Sequence, residues 1–169
     1  MKKIALLPVI LFVFSCACKK NAPVALSQNY TLENGCPSEG DCRIEVMKDK
    51  SLDVKKDGTG ATYFNTIATP GKTVVQYTYT KKTDPRLQDA GYVEKVIFEI
   101  NSDETGFSYK DKELQTTKML FGVVCFCRDK SGFYPVQQGS LDYSNKKLTI
   151  ELPEIVDSQK LNSISVAFE

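Results

Sequence analysis

The strongest constraint on the fold is a period-two alternation of apolar and polar residues that recurs from residue 43 onward. Residues 43–47, for example, place Ile44 and Val46 on one face of an extended segment. Such alternation is typical of a β-strand with one buried face. Many segments of this kind, separated by turn residues, predict a mainly antiparallel all-β fold, a β-sandwich or barrel-like single domain with at most short helices.

Two neighbouring segments predict one long hairpin. Residues 73–80 and 92–100 are rich in β-branched and aromatic residues, and we expect them to pair. The polar loop 81–91 between them is longer than most hairpin loops, which makes it a candidate for partner contact. Arg86 and Leu87 are its candidate binding residues.

The sequence also predicts a buried strand, two solvent-facing glutamates and two short helices. Residues 119–127 are apolar on both faces, which predicts a central strand covered on each side. Glu94 and Glu99 fall on opposite faces of their strand and are interpreted as solvent-facing charges. Short helices are expected at residues 112–117 and 154–161.

A second loop offers two aromatic candidates. Residues 128–135 follow the apolar segment and include Phe133 and Tyr134. Aromatic side chains in loops often anchor binding, but these two could equally fold back to cap the core. Both interpretations stay open at this point.

The first residues have the form of an export signal. Lys2 and Lys3 precede eleven uncharged residues, 4–14, and small or polar residues follow at 15–17. This run is shorter than the roughly 20 apolar residues that a spanning helix needs. We therefore expect a signal peptide at residues 1–15, a tether at 16–34 and one β-rich domain at 35–169.

The cleavage region resembles the bacterial lipobox. In residues 13–16 an aliphatic, a variable and a small residue precede Cys16, which the resemblance implies is lipidated. Cys18 is the alternative, since cutting before it would leave four cysteines that can all pair. In either case acyl chains hold the domain at a bilayer without a spanning helix.

The remaining cysteines are disulfide candidates, because exported proteins mature under oxidising conditions. Cys36 and Cys42 lie in a turn-rich loop, and Cys125 and Cys127 lie in the apolar segment. Alternate residues of a strand sit at the far end of the Cα separations that a disulfide accepts. We therefore expect cross-links between the loop and the strand, and no metal site, since the C-x₅-C and C-x-C spacings differ from those of structural zinc.

Composition excludes several function classes. The chain has no histidine, so Ser-His and Cys-His nucleophile pairs and the usual catalytic zinc ligands are excluded. No phosphate-cradle or dinucleotide motif occurs. The formal net charge of +1 gives no reason to expect a nucleic-acid partner. We expect neither a cofactor nor an enzymatic activity.

The lipobox-like start, the lysine pair after it, the Cys-Pro loop and the Phe-Cys strand are together similar to small lipoproteins of the Bacteroidota. The resemblance implies an outer-membrane lipoprotein and assigns no site residues. Residues 17–21 contain no acid, which favours the periplasmic face over the cell surface.

Three functions are compatible with the sequence. The first is a non-enzymatic binding or assembly module that contacts an envelope protein, polymer or glycan through loops 81–91 and 128–135. The second is a thiol-disulfide redox protein that uses Cys125 and Cys127. The third is a carrier that holds an apolar ligand inside a β-barrel.

Overall fold

The structure is a computed structural model that describes residues 26–169. The predicted signal peptide and the lipidation candidates Cys16 and Cys18 lie outside the described residues. The predicted all-β, mainly antiparallel single domain is confirmed, because two antiparallel sheets pack face to face.

Ten strands and one short 3₁₀ helix make up the described chain. The strands are β1 (Tyr30–Asn34), β2 (Gly40–Lys56), β3 (Thr62–Lys81), β4 (Tyr92–Asn101), β5 (Phe107–Lys110), β6 (Leu120–Cys125), β7 (Gly132–Pro135), β8 (Ser140–Ser144), β9 (Lys147–Glu151) and β10 (Ser163–Phe168). The 3₁₀ helix is Asp111–Thr117.

The strands form two five-stranded sheets. Sheet 1 has the order β1-β10-β9-β8-β5, and sheet 2 has the order β2-β3-β4-β6-β7. Because β1 pairs with β10, the ordered domain begins before residue 35, inside the segment that the sequence assigned to the tether.

The main core lies between the two sheets. The alternation in β3 and β4 sends one face of each strand into it, and the predicted pairing of these strands is confirmed by the register that joins Tyr77 to Val96. The largest fully buried side chains include Tyr77, Tyr79, Phe98, Phe121 and Tyr143. Burying one such side chain contributes roughly 2–3 kcal/mol, so this layer supplies most of the driving force for folding.

A second, smaller core lies on the outer face of sheet 2. The β2–β3 ladder shifts register between Lys48 and Lys50, where Asp49 has a positive φ of 54°. Beyond this bulge, residues 50–68, which we call the outer arm, pack across the sheet. Leu52 of the arm joins a buried cluster that also contains Val74, Ile97 and Leu120.

The outer arm explains the two-sided apolar pattern of residues 119–127. Leu120 lies under the arm, while Phe121 on the other face lies in the main core. The expectation of a strand covered on both sides holds only for the first part of the segment. The side chains of Val124 and Phe126 are exposed, and β6 ends at Cys125.

The two helix predictions have different outcomes. The 3₁₀ helix contains the predicted residues 112–117. The prediction of a helix at residues 154–161 is wrong, because the buried side chain of Gln159 satisfies the backbone groups there. Its oxygen accepts the Ile155 N–H at 2.8 Å, and its amide nitrogen donates to the carbonyls of Pro153 and Leu161. This local bonding holds the segment as a loop.

Within residues 26–169, no helix has both the length and the apolar character to cross a membrane.

Candidate functional site

The two ends of the sandwich carry different residues, with Cys125 at one end and the start of the described chain at the other. At one end of sheet 2, strands β2 and β4 begin and strands β3 and β6 end. Gly40 pairs with Lys81 there, and Tyr92 pairs with Cys125. We call this end the cysteine end. The described chain starts at the other end, where Leu26 lines a cavity of about 240 Å³ with Lys48, Ile100 and four other residues. The ten residues of β4 separate the two ends by about 30 Å at the rise of a β-strand.

The predicted cross-links between the two cysteine pairs are wrong. Cys36 pairs with Cys42 at a Cα–Cα distance of 5.7 Å, and Cys125 pairs with Cys127 at 5.3 Å. Both distances are within the range that a disulfide accepts. The predicted cross-links require a regular strand through residue 127, but β6 ends at Cys125 and the chain bends at Phe126. That bend brings the two Cα atoms closer than the ~6.6 Å of alternate strand residues.

Neither cysteine pair ties the two sheets together. The pairs are separated by 6 and 2 residues in sequence, so each closes a very short loop. In the chain-entropy treatment such loops stabilise the fold by about 2.4 and about 1.6 kcal/mol. A bond across Cys125 and Cys127 therefore stabilises the sandwich less than a typical disulfide, which contributes about 2–4 kcal/mol.

The exposed side chain of Phe126 dominates the cysteine end. It is 85% exposed, the largest exposure among the large hydrophobic side chains of the described residues. It lines two surface cavities of about 410 and 250 Å³, which also share Asp89, Gly91 and Cys125. Val124, 47% exposed, extends the apolar surface beside the smaller cavity.

The larger cavity carries charges of both signs. Its lining includes the cationic residues Lys81, Lys130 and Lys160 and the anionic residues Asp89 and Asp157. Lys130 is paired with Asp157 at 3.0 Å, which leaves Lys81 and Lys160 against Asp89 in the lining.

Lys160 also joins this cavity to the N-terminal half of the chain. Its ammonium lies 2.7 Å from the carboxylate of Glu39. The hydrogen bond and the charge of Glu39 raise the pKa of Lys160, and Lys160 lowers the pKa of Glu39 in the same way. Both side chains are largely exposed, so this pair contributes little stability.

A buried carboxylate holds one wall of the larger cavity. The prediction that Glu94 faces solvent is wrong, since its exposure is 0%. It accepts the backbone N–H groups of Lys160 and Leu161 at 2.8 Å and thereby fixes the loop between β9 and β10. It also accepts the Tyr92 hydroxyl, and burial together with this hydrogen bond raises the pKa of Tyr92 above its ordinary range.

Glu99 is likewise buried, at 4% exposure, and not solvent-facing as predicted. It does face away from Glu94, but the outer arm covers that side of the sheet. Its carboxylate accepts the Ser51 hydroxyl and the Leu52 N–H, both at 2.7 Å, and lies 3.0 Å from the Lys118 ammonium. Glu99 therefore holds the outer arm against the sheet and is not part of the cysteine end.

The sequence-predicted binding residues fall into two groups. Arg86 and Leu87 lie on the exposed loop 81–91, where Leu87 is 60% exposed and the Arg86 guanidinium is paired with Asp84. This loop borders both cavities through Asp89.

Phe133 and Tyr134 lie in β7 and not at a loop tip. Both are half-buried, the Phe133 ring packs edge-on against Phe64 at 4.9 Å, and the Tyr134 hydroxyl donates to the Lys130 carbonyl at 3.0 Å. The sequence left open whether Phe133 and Tyr134 anchor a partner or cap the core. The positions of the two side chains agree with capping of the cores.

Sequence reasoning missed Phe126, because it lies in an apolar run that was read as a buried strand. The charged residues Arg128, Asp129 and Lys130 that follow at once were the available signal that the strand ends there. The described residues contain no group of three or more side chains suited to hold a metal ion.

The fold and the site together define an antiparallel two-sheet β-sandwich with an aromatic, cysteine-containing surface at one end. Comparison of the chain with protein-family models, with curated proteins and with solved structures finds no match in any of the three.

Proposed function

We propose that the protein is a lipid-anchored lipoprotein on the periplasmic face of the bacterial outer membrane, where it acts as a binding module for an envelope protein. The observation that carries the binding proposal is Phe126, an 85% exposed aromatic ring between two cavities. Exposed aromatic side chains beside concave surfaces are common anchors of protein interfaces.

The position of Leu26 supports the anchored arrangement. Lipidation at Cys16 would leave ten residues before Leu26, which span at most about 36 Å when fully extended. The chain would then enter the sandwich at the end opposite Phe126. A tether attached there holds the cysteine end away from the bilayer, where a partner can reach it.

Anchoring also makes a modest contact surface sufficient. Confinement at a membrane raises the effective concentration of the module near other envelope components. The surface formed by Phe126 and Val124 then needs only moderate intrinsic affinity. The proposal contains no catalytic step and no bound cofactor.

The carrier alternative receives no support from the interior of the described domain. Large side chains, including Tyr77, Phe98 and Phe121, occupy the space between the sheets. The cavities lie at the surface and include charged lining residues such as Lys81 and Asp157. We therefore do not extend the proposal to an enclosed apolar ligand.

Capture from envelope extracts tests the binding proposal. The full-length chain and its Phe126→Ser variant would be extracted in mild detergent, and co-purifying components identified by mass spectrometry. We expect a protein that the variant loses. Tyr63→Ser is the matched control, because Tyr63 is an exposed aromatic residue on the outer arm. Retention of every component by Phe126→Ser, or capture of glycan or polymer alone, would contradict the proposal.

Intact-mass measurement tests the anchor separately. The chain recovered from membranes should lack residues 1–15 and carry acyl mass on Cys16, and Cys16→Ala should abolish it. Acyl mass on Cys18 would support the anchor and correct its position. An unprocessed chain without acyl mass would contradict the lipoprotein proposal.

A further inference from the structure

We propose that the Cys125–Cys127 disulfide exchanges with reduced cysteine pairs in polypeptides and accepts two electrons from them. The inference does not depend on lipidation or on the binding partner proposed above. It rests on two features of the cysteine end, namely access to the two cysteines and an apolar contact beside them.

Both cysteines are accessible. Cys125 and Cys127 are half-buried and line the cavity of about 410 Å³, so an incoming thiolate can approach from solvent. The two cysteines are separated by only 2 residues in sequence, so opening the bond releases no distant segment. A structural cross-link typically holds distant segments together, and this pair does not.

Phe126 supplies the apolar contact. It lies between the two cysteines in sequence and lines the same cavity. A polypeptide whose cysteines are flanked by apolar residues would bury part of this ring while its thiol reaches the disulfide. The other pair, Cys36 and Cys42, has Pro37 and charged residues as neighbours in sequence and no aromatic side chain between its members.

Charged side chains of both signs surround the two cysteines. Lys81, Lys130 and Lys160 line the cavity against Asp89 and Asp157. Lys130 and Lys160 are paired with Asp157 and Glu39, so the cavity offers no net positive charge that would favour a thiolate. The Tyr92 hydroxyl, which also belongs to this wall, is already hydrogen-bonded to Glu94.

The reaction balances without another reactant. A substrate thiolate attacks the sulfur of Cys127, which lies beyond the end of β6, and the sulfur–sulfur bond breaks with its electron pair passing to Cys125. The second substrate thiolate then attacks the substrate sulfur of this mixed disulfide and releases Cys127. The substrate dithiol becomes a disulfide, the protein disulfide becomes a dithiol, and the two thiol protons of the substrate end on the two cysteines.

A stoichiometric oxidation assay tests the inference. The oxidised full-length chain would be mixed with a reduced synthetic peptide that carries two cysteines flanked by leucines, and peptide disulfide followed by mass spectrometry. We expect the double variant Cys125→Ser/Cys127→Ser to oxidise the peptide at least tenfold more slowly. The matched control, Cys36→Ser/Cys42→Ser, should keep the wild-type rate, and all variants retain Cys16 and Cys18.

A second comparison separates the role of Phe126. Phe126→Ser should slow the oxidation of the peptide at least threefold and leave the rate with dithiothreitol unchanged, because that small dithiol needs no apolar contact. Near-ultraviolet circular dichroism would verify that each variant is folded. A wild-type rate in Cys125→Ser/Cys127→Ser would overturn the inference, and equal slowing of both dithiols by Phe126→Ser would overturn the assigned substrate class. Neither result would bear on partner capture in envelope extracts.

Discussion

The carboxylate of Glu99 accepts the backbone N–H of Leu52 at 2.7 Å and so fastens the outer arm to the outer face of β4. The Lys118 ammonium completes the contact by donating to the Leu52 carbonyl at 2.7 Å while it pairs with Glu99 at 3.0 Å. Breaking one member of a buried charge cluster leaves the others without partners, which is costly.

Replacing Glu99 by Gln should therefore destabilise the domain. The amide nitrogen of Gln would face the Leu52 N–H or the Lys118 ammonium, both of which are donors. We expect a loss of about 1–3 kcal/mol in the free energy of unfolding, measured by urea denaturation. Glu45→Gln on the exposed face of β2 serves as the control and should change it by less than about 0.5 kcal/mol. Equal stabilities of the two variants would contradict the assignment.

The same carboxylate predicts a pH dependence. Burial alone would raise the pKa of Glu99, but hydrogen bonds from Ser51, Leu52 and Lys118, together with the Lys118 charge, lower it below the ordinary value of 4.5. A lowered pKa stabilises the fold above about pH 4.5, and this stabilisation disappears as the pH falls through the folded-state value. The difference in unfolding free energy between wild type and Glu99→Gln should thus shrink below pH 4.5. A difference that stays constant down to pH 3 would show that the carboxylate is not responsible.

Glu94→Gln should loosen the loop between β9 and β10. The substitution weakens an acceptor that holds the N–H groups of Lys160 and Leu161. We expect faster amide hydrogen exchange at these two residues, by about tenfold or more, and a stability loss of about 1–3 kcal/mol. Glu154→Gln in the same loop is exposed and should leave the exchange unchanged. Unaltered protection of Lys160 and Leu161 in Glu94→Gln would refute this role.

Gly122 is required by the close approach of Phe133 across the β6–β7 ladder. A Cβ at Gly122 would collide with the Phe133 ring, which is itself held against Phe64. Gly122→Ala should destabilise the domain by about 1–3 kcal/mol. Adding Phe133→Leu should recover part of that loss, so the two substitutions should be non-additive in a double-mutant cycle. Simple additivity would mean that the clash is relieved elsewhere.

Tyr77 carries a hydroxyl that is buried in the main core and has no protein partner among residues 26–169. Burial raises its pKa to about 12. The neutral form thus stabilises the fold up to about pH 10, the ordinary tyrosine value, and this contribution is lost as the pH rises toward 12. Tyr77→Phe should raise the unfolding free energy by up to about 1 kcal/mol at pH 7 and flatten its decline above pH 10. A less stable variant would reveal a hydrogen bond that the hydroxyl makes.

Local pattern was sufficient to predict the β3–β4 hairpin, because alternation, β-branched residues and an intervening polar loop all agree there. It was not sufficient for β2, where the bulge at Asp49 changes which alternate residues face the sheet interior. Ile44 and Leu52 look equivalent in sequence, yet they belong to different cores. Only the tertiary path of the outer arm separates them.

The errors at the candidate site have a related origin. Alternation with apolar neighbours suggested that Glu94 and Glu99 face solvent, but each is covered by a segment distant in sequence, the β9–β10 loop or the outer arm. The cysteine pairing was missed because it depends on where β6 ends, which is one residue before Phe126. Such boundaries are the least certain part of any strand prediction.

During synthesis, the apolar residues of the outer arm emerge before the residues that will cover them. Leu52 and Phe64 are synthesised well before Ile97, Leu120 and Phe133, the residues of the cluster in which they pack. Until those later segments emerge, one side of the hairpin presents uncovered apolar groups to its surroundings. This interval is when the polypeptide is most vulnerable to misassociation, and it is when a chaperone would be most useful to it.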